Sequence, residues 1–291
     1  MLSILLPTYC YDVCELMHSL KQQLDQEKFS WEIRVYDDCS PEEWQAKNRE
    51  LETIDYRIVY QELPENLGRA RIRNLLAREA RYDNLLFLDA DSGIPANFIA
   101  NYRPFLGRPE VISGGRIYTD RAIEPSRLLH WCYGSQRESK PSATRTKYPY
   151  QGFQTNNFIA PKALLLEHPF DEEAVAYGHE DTLWGFALQA KNIQILHLDN
   201  PVAHLGLEDF ETFLRKQEQA VNNLKMLEAN HPELPTRLSN VAKKVGRGRV
   251  IIKPILGFLA PHLRTQLAQD IPGSLYYLDA LKLHWYWSDQ N

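Results

Sequence analysis

The sequence is poor in several things that would have directed it elsewhere. Its 291 residues hold only four cysteines, Cys10, Cys14, Cys39 and Cys132, with no CxxC pair and no secreted-scaffold spacing. A disulfide framework is therefore not expected, and a reducing compartment is. No window approaches the roughly 18 apolar residues that span a bilayer. The opening MLSILLPTYCYD lacks the basic segment and the length of a signal peptide, so retention in the cytoplasm is expected. The net charge of −5 gives no electrostatic argument for nucleic acid as a partner. There is no internal repeat. One absence is local: from Thr236 to Arg264 there is no Asp or Glu, while Arg237, Lys243, Lys244, Arg247, Arg249, Lys253 and Arg264 fall there. With 44% hydrophobic residues the chain can build a large core, so one large domain, or a domain with an appendage, is expected.

Strand and helix signals then alternate. SILLP (Ser3–Pro7) reads as a buried strand. A helix follows with Asp12 as its N-cap and Val13, Leu16, Leu20 and Leu24 on one stripe. WEIRVYDD (Trp31–Asp38) is a second strand. SPEEW opens a helix, with Ser40 as cap, Pro41 in the first turn and Glu43 completing a capping box. YRIVYQ (Tyr56–Gln61) is a third strand, Gly68–Ala80 a helix with Ile72, Leu75, Leu76 and Ala80 inward, and NLLFLD (Asn84–Asp89) a fourth strand. This order predicts a mostly parallel sheet with helices on both faces. After it, Glu110–Tyr118 reads as a strand and Arg121–Pro149 as a mobile loop closing over a ligand. Leu207–Ala229 reads as a long amphipathic helix, and the remainder as helical patches broken by Pro254, Pro261 and Pro272.

In such a sheet ligands bind beyond the carboxyl ends of the strands. Thr8, Asp37–Asp38 and Asp89–Asp91 all fall there. The Asp-x-Asp pair at the end of the apolar LLFLD can share one hard cation while phosphate oxygens or water complete its shell; equally, Asp91 or Ser92 could cap a helix starting near Pro95. In EDTLWGFAL, Glu180 and Asp181 lie in the first turn of a helix, where the macrodipole alone favours acids. The preceding FDEEAVAYGH reads as a loop, which would place Asp181 at a cleft as a general base. Asn66–Asn74 (NLGRARIRN) starts a helix on glycine with arginines at once, which suits phosphate or simply a solvated basic face. Asp37–Asp38 suits a ribose or base edge, or a turn before Ser40. His204, after the strand IQILHL, is a metal ligand or an ordinary surface or core histidine.

Taken in order, these segments resemble the inverting nucleotide-sugar glycosyltransferases of family 2. The segments are SILLPTY, VYDDCS, ENLGRARIRNLLAREA, LLFLDADS, NNFIAPKALL followed by FDEEAVAYGHEDTLWGFAL, and PVAHLG. The resemblance implies a GT-A fold over residues 1–206, with a donor half of about 1–118 and an acceptor half of about 150–206. Residues 207–291 would form a helical C-terminal extension. It implies nucleotide contacts from Pro7, Thr8, Asp37, Asp38, Gly68, Arg71, Arg73 and Asp89. It implies Mn2+ or Mg2+ on Asp91, Asp89 and His204, acceptor contacts from Asn156, Asn157 and Glu180, and Asp181 as base with Glu180 beside it. Many members carry a third acid where this chain has Ser92. The Q-x-x-R-W motif of processive synthases is absent, which implies one sugar added per encounter. The implied reaction moves a sugar from a UDP-hexose or UDP-N-acetylhexosamine to a glycan or lipid-linked glycan, as in polysaccharide biosynthesis.

Two other readings exist. In a phosphatase of the haloacid-dehalogenase type, Asp89 would be nucleophile and Asp91 acid/base; that motif normally follows the first strand, whereas here three strand–helix units precede it. A non-catalytic nucleotide-sugar module would keep the fold alone, yet every candidate acid is present. Finally, the acid-free basic run contains VIIKPILGFLAPHL, and Leu275–Asp289 is rich in aromatics, including Trp285 and Trp287. Together they suggest a peripheral seat on an anionic membrane at the inner face of the cell, or a tail packed by its own aromatics.

Overall fold

Strand β1 (Leu2–Thr8) is the hub of the fold. The computed structural model describes residues 1–119, 123–172, 178–231, 234, 236–269 and 275–288. Within these, β1 is joined by β2 (Trp31–Asp37), β3 (Ile58–Glu62), β4 (Asn84–Leu88), β5 (Ser92–Gly93), β6 (Val111–Ser113), β7 (Arg116–Ile117), β8 (Asn157–Pro161), β9 (Ile195–His197) and β10 (Val202–His204). Seven of them form one sheet in the order β3-β2-β1-β4-β8-β6-β9, and β5-β10-β7 form a small second one. β1 pairs in parallel with β2 and β4, and β6 with β9; β8 alone in the large sheet runs antiparallel, against both β4 and β6. The sheet is α/β and mainly parallel, as the alternation predicts.

The side-chain period of two divides each central strand between two cores. Leu2, Ile4 and Leu6 of β1 pack with Val13, Leu16, Met17, Leu20 and Leu24, the stripe of the Cys14–Leu24 helix. Leu5 points the other way, with Leu85 and Phe87, onto Ala70, Ile72, Leu76 and Ala77 of the Arg69–Glu79 helix. Strands buried on both faces read as continuous apolar runs, which is why LLFL precedes the carboxylates of Asp89 and Asp91. Phe87 stacks on Phe158 of β8 with centroids 5.0 Å apart. Trp184 of the Glu180–Ala190 helix closes that aromatic cluster against Phe153, Phe158 and Phe170.

The chain divides into two units. Residues 1–119, 139–172 and 180–206 form the first; 123–138 and 178–179 cluster instead with the described residues from 207 onward. The second unit has its own core of Leu129, Cys132, Phe213, Leu214, Leu267, Leu275, Leu278 and Leu281.

Several local expectations are corrected. Ser40 is no helix cap: its hydroxyl accepts the Cys10 amide at 2.8 Å and so ties the turn after β1 to the turn after β2. The next helix begins at Glu42 with no side-chain cap, so Glu43 completes no capping box. The segment read as a mobile loop is largely helical, at Leu128–Tyr133, Gly134–Glu138 and Ser142–Thr146; its start at Arg121 lies outside the described residues. Arg145 anchors it. This buried guanidinium donates to the carbonyls of Ser113 (3.3 Å), Gly114 (3.0 Å) and Leu198 (2.6 Å) and lies 2.6 Å from His197 Nδ1. Pro254 and Pro261 do not break the C-terminal helix, which runs unbroken from Arg249 to Gln269. Proline removes a hydrogen bond and costs about 3 kcal/mol inside a helix, and here packing through Ala260, Leu263 and Leu267 holds the helix through both. Pro272 lies outside the described residues.

Candidate active site

The carboxyl ends of β1, β2 and β4 gather the polar residues. Register explains this: Thr8 lies beside Asp37, and Leu88 beside Asn157. β8 therefore begins where β4 ends, and the Asp89 amide donates to the Asn156 carbonyl at 3.0 Å.

The two acids after β2 hold the scaffold. Asp37 is fully buried; it accepts from the Ser40 amide at 2.6 Å and from the Tyr60 hydroxyl at 3.2 Å. Asp38 accepts from the amides of Leu67 (2.6 Å) and Gly68 (3.0 Å), and burial raises its carboxyl despite those amides. Gly68 has φ +79°, a conformation other residues adopt only with strain, and it forms the N-cap of the Arg69–Glu79 helix. Its N–H is thus already given to Asp38, and is not the open phosphate donor that the sequence suggests. Pro7 and Thr8 end β1, where the Thr8 carbonyl accepts the Asp38 amide at 2.8 Å.

Asp89 and Asp91 have different company. Asp89 receives Arg73 Nη2 at 2.9 Å and Arg116 Nη2 at 3.2 Å. Asp91 Oδ2 lies 3.3 Å from His204 Nδ1. That meeting is the work of the small sheet: β10 runs antiparallel to β5 with His204 opposite Ser92, and the Leu205 amide donates to the Asp91 carbonyl at 2.8 Å. Gly206 is also required, since a Cβ there would stand 2.4 Å from Asp91 Oδ2. Burial pushes the Asp91 carboxyl up, but the His204 ring, Arg116 and Arg69 outweigh it and hold it at about 2. Asp91 is therefore anionic at neutral pH.

Glu180, almost buried, accepts from Arg69 Nη1 at 3.1 Å, with Arg73 Nη1 at 3.9 Å. Burial raises its carboxyl, yet Arg69 and Arg73 hold it below the usual carboxylate range. A carboxylate so paired is a poor base. Its neighbour Asp181 is half-buried at the same helix start, where its Oδ1 accepts the Thr182 amide at 2.7 Å. Glu173–Tyr177 of the preceding stretch lie outside the described residues.

Three carboxylates thus meet three guanidiniums in one connected cluster: Asp89, Asp91 and Glu180 with Arg69, Arg73 and Arg116. Arg69 and Arg116 were not singled out in the sequence. Arg69 had a signal, because it is four residues from Arg73 and so shares its helix face. Arg71, two residues away, turns instead toward Glu172, 3.9 Å off, and is half exposed. Asn157 is fully buried: it accepts from the Tyr102 hydroxyl at 2.6 Å and donates to the carbonyls of Gly115 and Asn200. Its amide is committed inside the protein, so it does not face an acceptor. Asn156 differs. Both its amide atoms, and Nε of Arg73, are buried without a hydrogen bond among the described residues. Buried polar groups are rarely left so unless a ligand or water completes them.

Among the described residues no three His, Cys, Asp or Glu side chains converge as a closed metal shell. The donor set nevertheless fits a hard divalent cation: an anionic carboxylate and an imidazole side by side, Asp89 two residues away, and phosphate oxygens left to supply the rest. Charge agrees. The six charged groups roughly cancel, so a diphosphate bound among them adds negative charge that a divalent ion offsets.

The sequence profile described as glycosyl transferase family 2 matches residues 3–172, more than half of the chain. The chain belongs to glycosyltransferase family 2. A candidate teichuronic acid biosynthesis glycosyltransferase, TuaG of Bacillus subtilis (strain 168), is 36% identical over 93 residues, covering 31% of this chain and 36% of that protein. The chain spans less than half the length of the curated relatives it matches. Among solved structures, the mannosyltransferase PcManGT from Pyrobaculum calidifontis, in complex with GDP-Man and Mn2+, superposes with TM-score 0.59 at 14% identity, over 99% of this chain and 88% of that one. S. aureus TarS 1-349 superposes with TM-score 0.52 at 17% identity, over 97% and 89%. These likenesses show that the fold is GT-A.

Proposed function

We propose that this family 2 member transfers one sugar per encounter from a nucleoside-diphosphate donor to a hydroxyl acceptor, with inversion. The observation that carries the reading is the Asp89–Arg73–Glu180–Arg69–Asp91–His204 cluster at the strand ends, with Asp181 beside it. The acceptor oxygen attacks the anomeric carbon, the bond from that carbon to the diphosphate breaks, and its electron pair leaves with the phosphate. The acceptor proton passes to Asp181. Glu180, held ionised by two arginines, does not compete for the proton and keeps the helix start in place. Arg73 and Arg116 lie where charge develops on the leaving group. Asn156, with its unbonded amide, suits a sugar hydroxyl. Asp91 and His204, with Asp89, would hold Mn2+ or Mg2+, which when bound supplies Lewis-acid neutralisation of the leaving diphosphate. The mannosyltransferase with GDP-Man and Mn2+ supports metal and nucleotide sugar alike. The UDP-hexose or UDP-N-acetylhexosamine that the family resemblance implies is the proposed donor, with GDP-mannose as the alternative. A cell-surface glycan, or a lipid-linked glycan made at the cytoplasmic face, is the proposed acceptor, in keeping with the name of the Bacillus relative.

The test is a panel of UDP- and GDP-sugars, with and without Mn2+, read as nucleoside diphosphate release in the presence of glycan acceptors. Turnover of one donor that needs the metal and fails in Asp181→Asn is expected. Phosphate-ester hydrolysis without sugar transfer would overturn the reading.

A further inference from the structure

The Arg249–Gln269 helix is apolar on two sides. One side joins the second unit's core through Ala260, Leu263 and the fully buried Leu267. The other is open among the described residues: Val250 is 79% exposed, Ile251 67%, Ile255 49% and Phe258 86%. At 100° per residue these four fall within a sector of about 140°, and the exposed Pro254 and Pro261 lie in the same sector. They form one stripe. A contiguous exposed apolar patch of this kind marks a contact surface.

The aromatic tail that the sequence pairs with this region is not part of the stripe. Trp287 is buried, Tyr286 donates to Glu228 at 2.5 Å, and Trp285 packs on the core; only Tyr276 stands free of it. The cations do accompany the stripe. Lys243, Lys244, Arg247 and Arg249 are all exposed immediately before it. A cleft of about 620 Å³ at the start of the helix is lined by Lys225, Lys243, Arg249 and Tyr286, with Glu228 the one acid among the described residues that line it.

Charge selects the occupant. A second copy meeting this face by two-fold symmetry would set the same cations against themselves. A neutral apolar partner would leave them unused. An anionic bilayer takes both: headgroups meet the cations and the acyl boundary takes Val250, Ile251, Ile255 and Phe258. We propose that the Arg249–Gln269 helix seats the protein on an anionic lipid surface. This goes beyond the transferase reading and is read without turnover.

The experiment is co-sedimentation of the full chain with phosphatidylglycerol-containing and pure phosphatidylcholine vesicles at low and high salt. Binding to the anionic vesicles alone, weakened by salt, is expected. The variant Val250→Ser/Ile251→Ser/Phe258→Ser should bind about tenfold more weakly, since each loses much of its apolar contact, with an unchanged thermal midpoint. In Phe258→Trp, the added emission should shift to the blue on anionic vesicles. No binding of the wild type at low salt overturns the proposal, as does equal binding by the triple variant or an unshifted emission from the introduced indole. A wild-type dimer that the triple variant makes monomeric, without vesicle binding, would give the face to a second copy instead.

Discussion

The first unit hides charge, and the second shows hydrocarbon. In the first, Asp37, Arg73, Arg145 and Glu180 are buried, and each has charged or polar partners. In the second, Val250, Ile251 and Phe258 lie open. Each placement runs against transfer free energy, and each is kept for a different reason. Burying a charge is tolerated only where partners replace water. Arg145 spends its donors on carbonyls and is a staple. Arg73 leaves Nε unbonded and stands between two carboxylates; under the proposed function its partners would be redistributed when a diphosphate binds. Exposed hydrocarbon needs no partner to persist, and so it reports only what it is kept ready to touch.

The largest expected effect lies at the proposed base beside the buried charges of the first unit. Asp181→Asn should lower transfer by about 10²–10⁴-fold while nucleoside diphosphate affinity in Mn2+ stays near wild type. Calorimetry beside a transfer assay reads both quantities, and wild-type transfer in the variant would move the base elsewhere. Next comes Arg73→Leu, which leaves Asp89 and Glu180 short of a partner. Removing one member of a buried pair costs about 3–5 kcal/mol, read as a lower urea midpoint. Arg264→Ala, whose pair with Glu211 is exposed on the second unit, should change the midpoint by under about 1 kcal/mol. Similar losses in the two variants would erase the distinction between the units.

How far this contrast was legible depends on range. The central strands, the stripe on Cys14–Leu24 and the two acids after LLFL follow from local periodicity, and the structure has them. What pairing over distance decides was not legible. Nothing near Asn157 announces that β8 will run antiparallel between β4 and β6, burying that asparagine. Two-residue strands such as β5 carry no period, so the seating of His204 on Asp91 could only come from resemblance. Ser40 has the chemistry of a cap, but the Cys10 amide competes for it. Pro254 and Pro261 argue for breaks, and tertiary packing overrides them. Arg69 was within reach, since helical spacing places it with Arg73 and sets Arg71 apart.

An effect smaller than the loss of Arg73 tests whether the Arg145 staple is as quiet as its geometry implies. His197 Nε2 lies 2.8 Å from the Pro149 carbonyl, which can only accept, so that nitrogen carries the proton and Nδ1 faces Arg145 with its lone pair. Burial, and then the Arg145 cation, hold the ring neutral, with its pKa lowered to about 4 despite the Pro149 carbonyl. Between about 6.5 and about 4 the unfolded chain binds the proton and the folded chain does not. Stability from this group is therefore full above 6.5 and falls as pH drops toward 4. The loss is on the order of 2–3 kcal/mol at pH 4. His197→Asn should flatten that part of the pH profile of the urea midpoint relative to wild type, and parallel profiles would show the histidine to be silent.

The smallest expected effect is also the sharpest test of the contrast. Phe158 and Phe258 are the same residue type, one fully buried in the first unit and one 86% exposed in the second. Phe158 stacks on Phe87 and meets Phe153 and Trp184, so Phe158→Ala removes transfer free energy and opens a cavity, together about 3–5 kcal/mol. Phe258→Ser removes a ring already in water. Its effect on folding should stay within about 0.5 kcal/mol, the range of surface substitutions that touch no special feature. The size is informative: a side chain kept for folding would be missed in the urea midpoint, and one kept for contact would be missed in a binding assay and nowhere else. A loss of several kcal/mol in Phe258→Ser, read as a urea midpoint, would mean that the stripe is already covered within the folded chain, and the contrast between the units would fall with it.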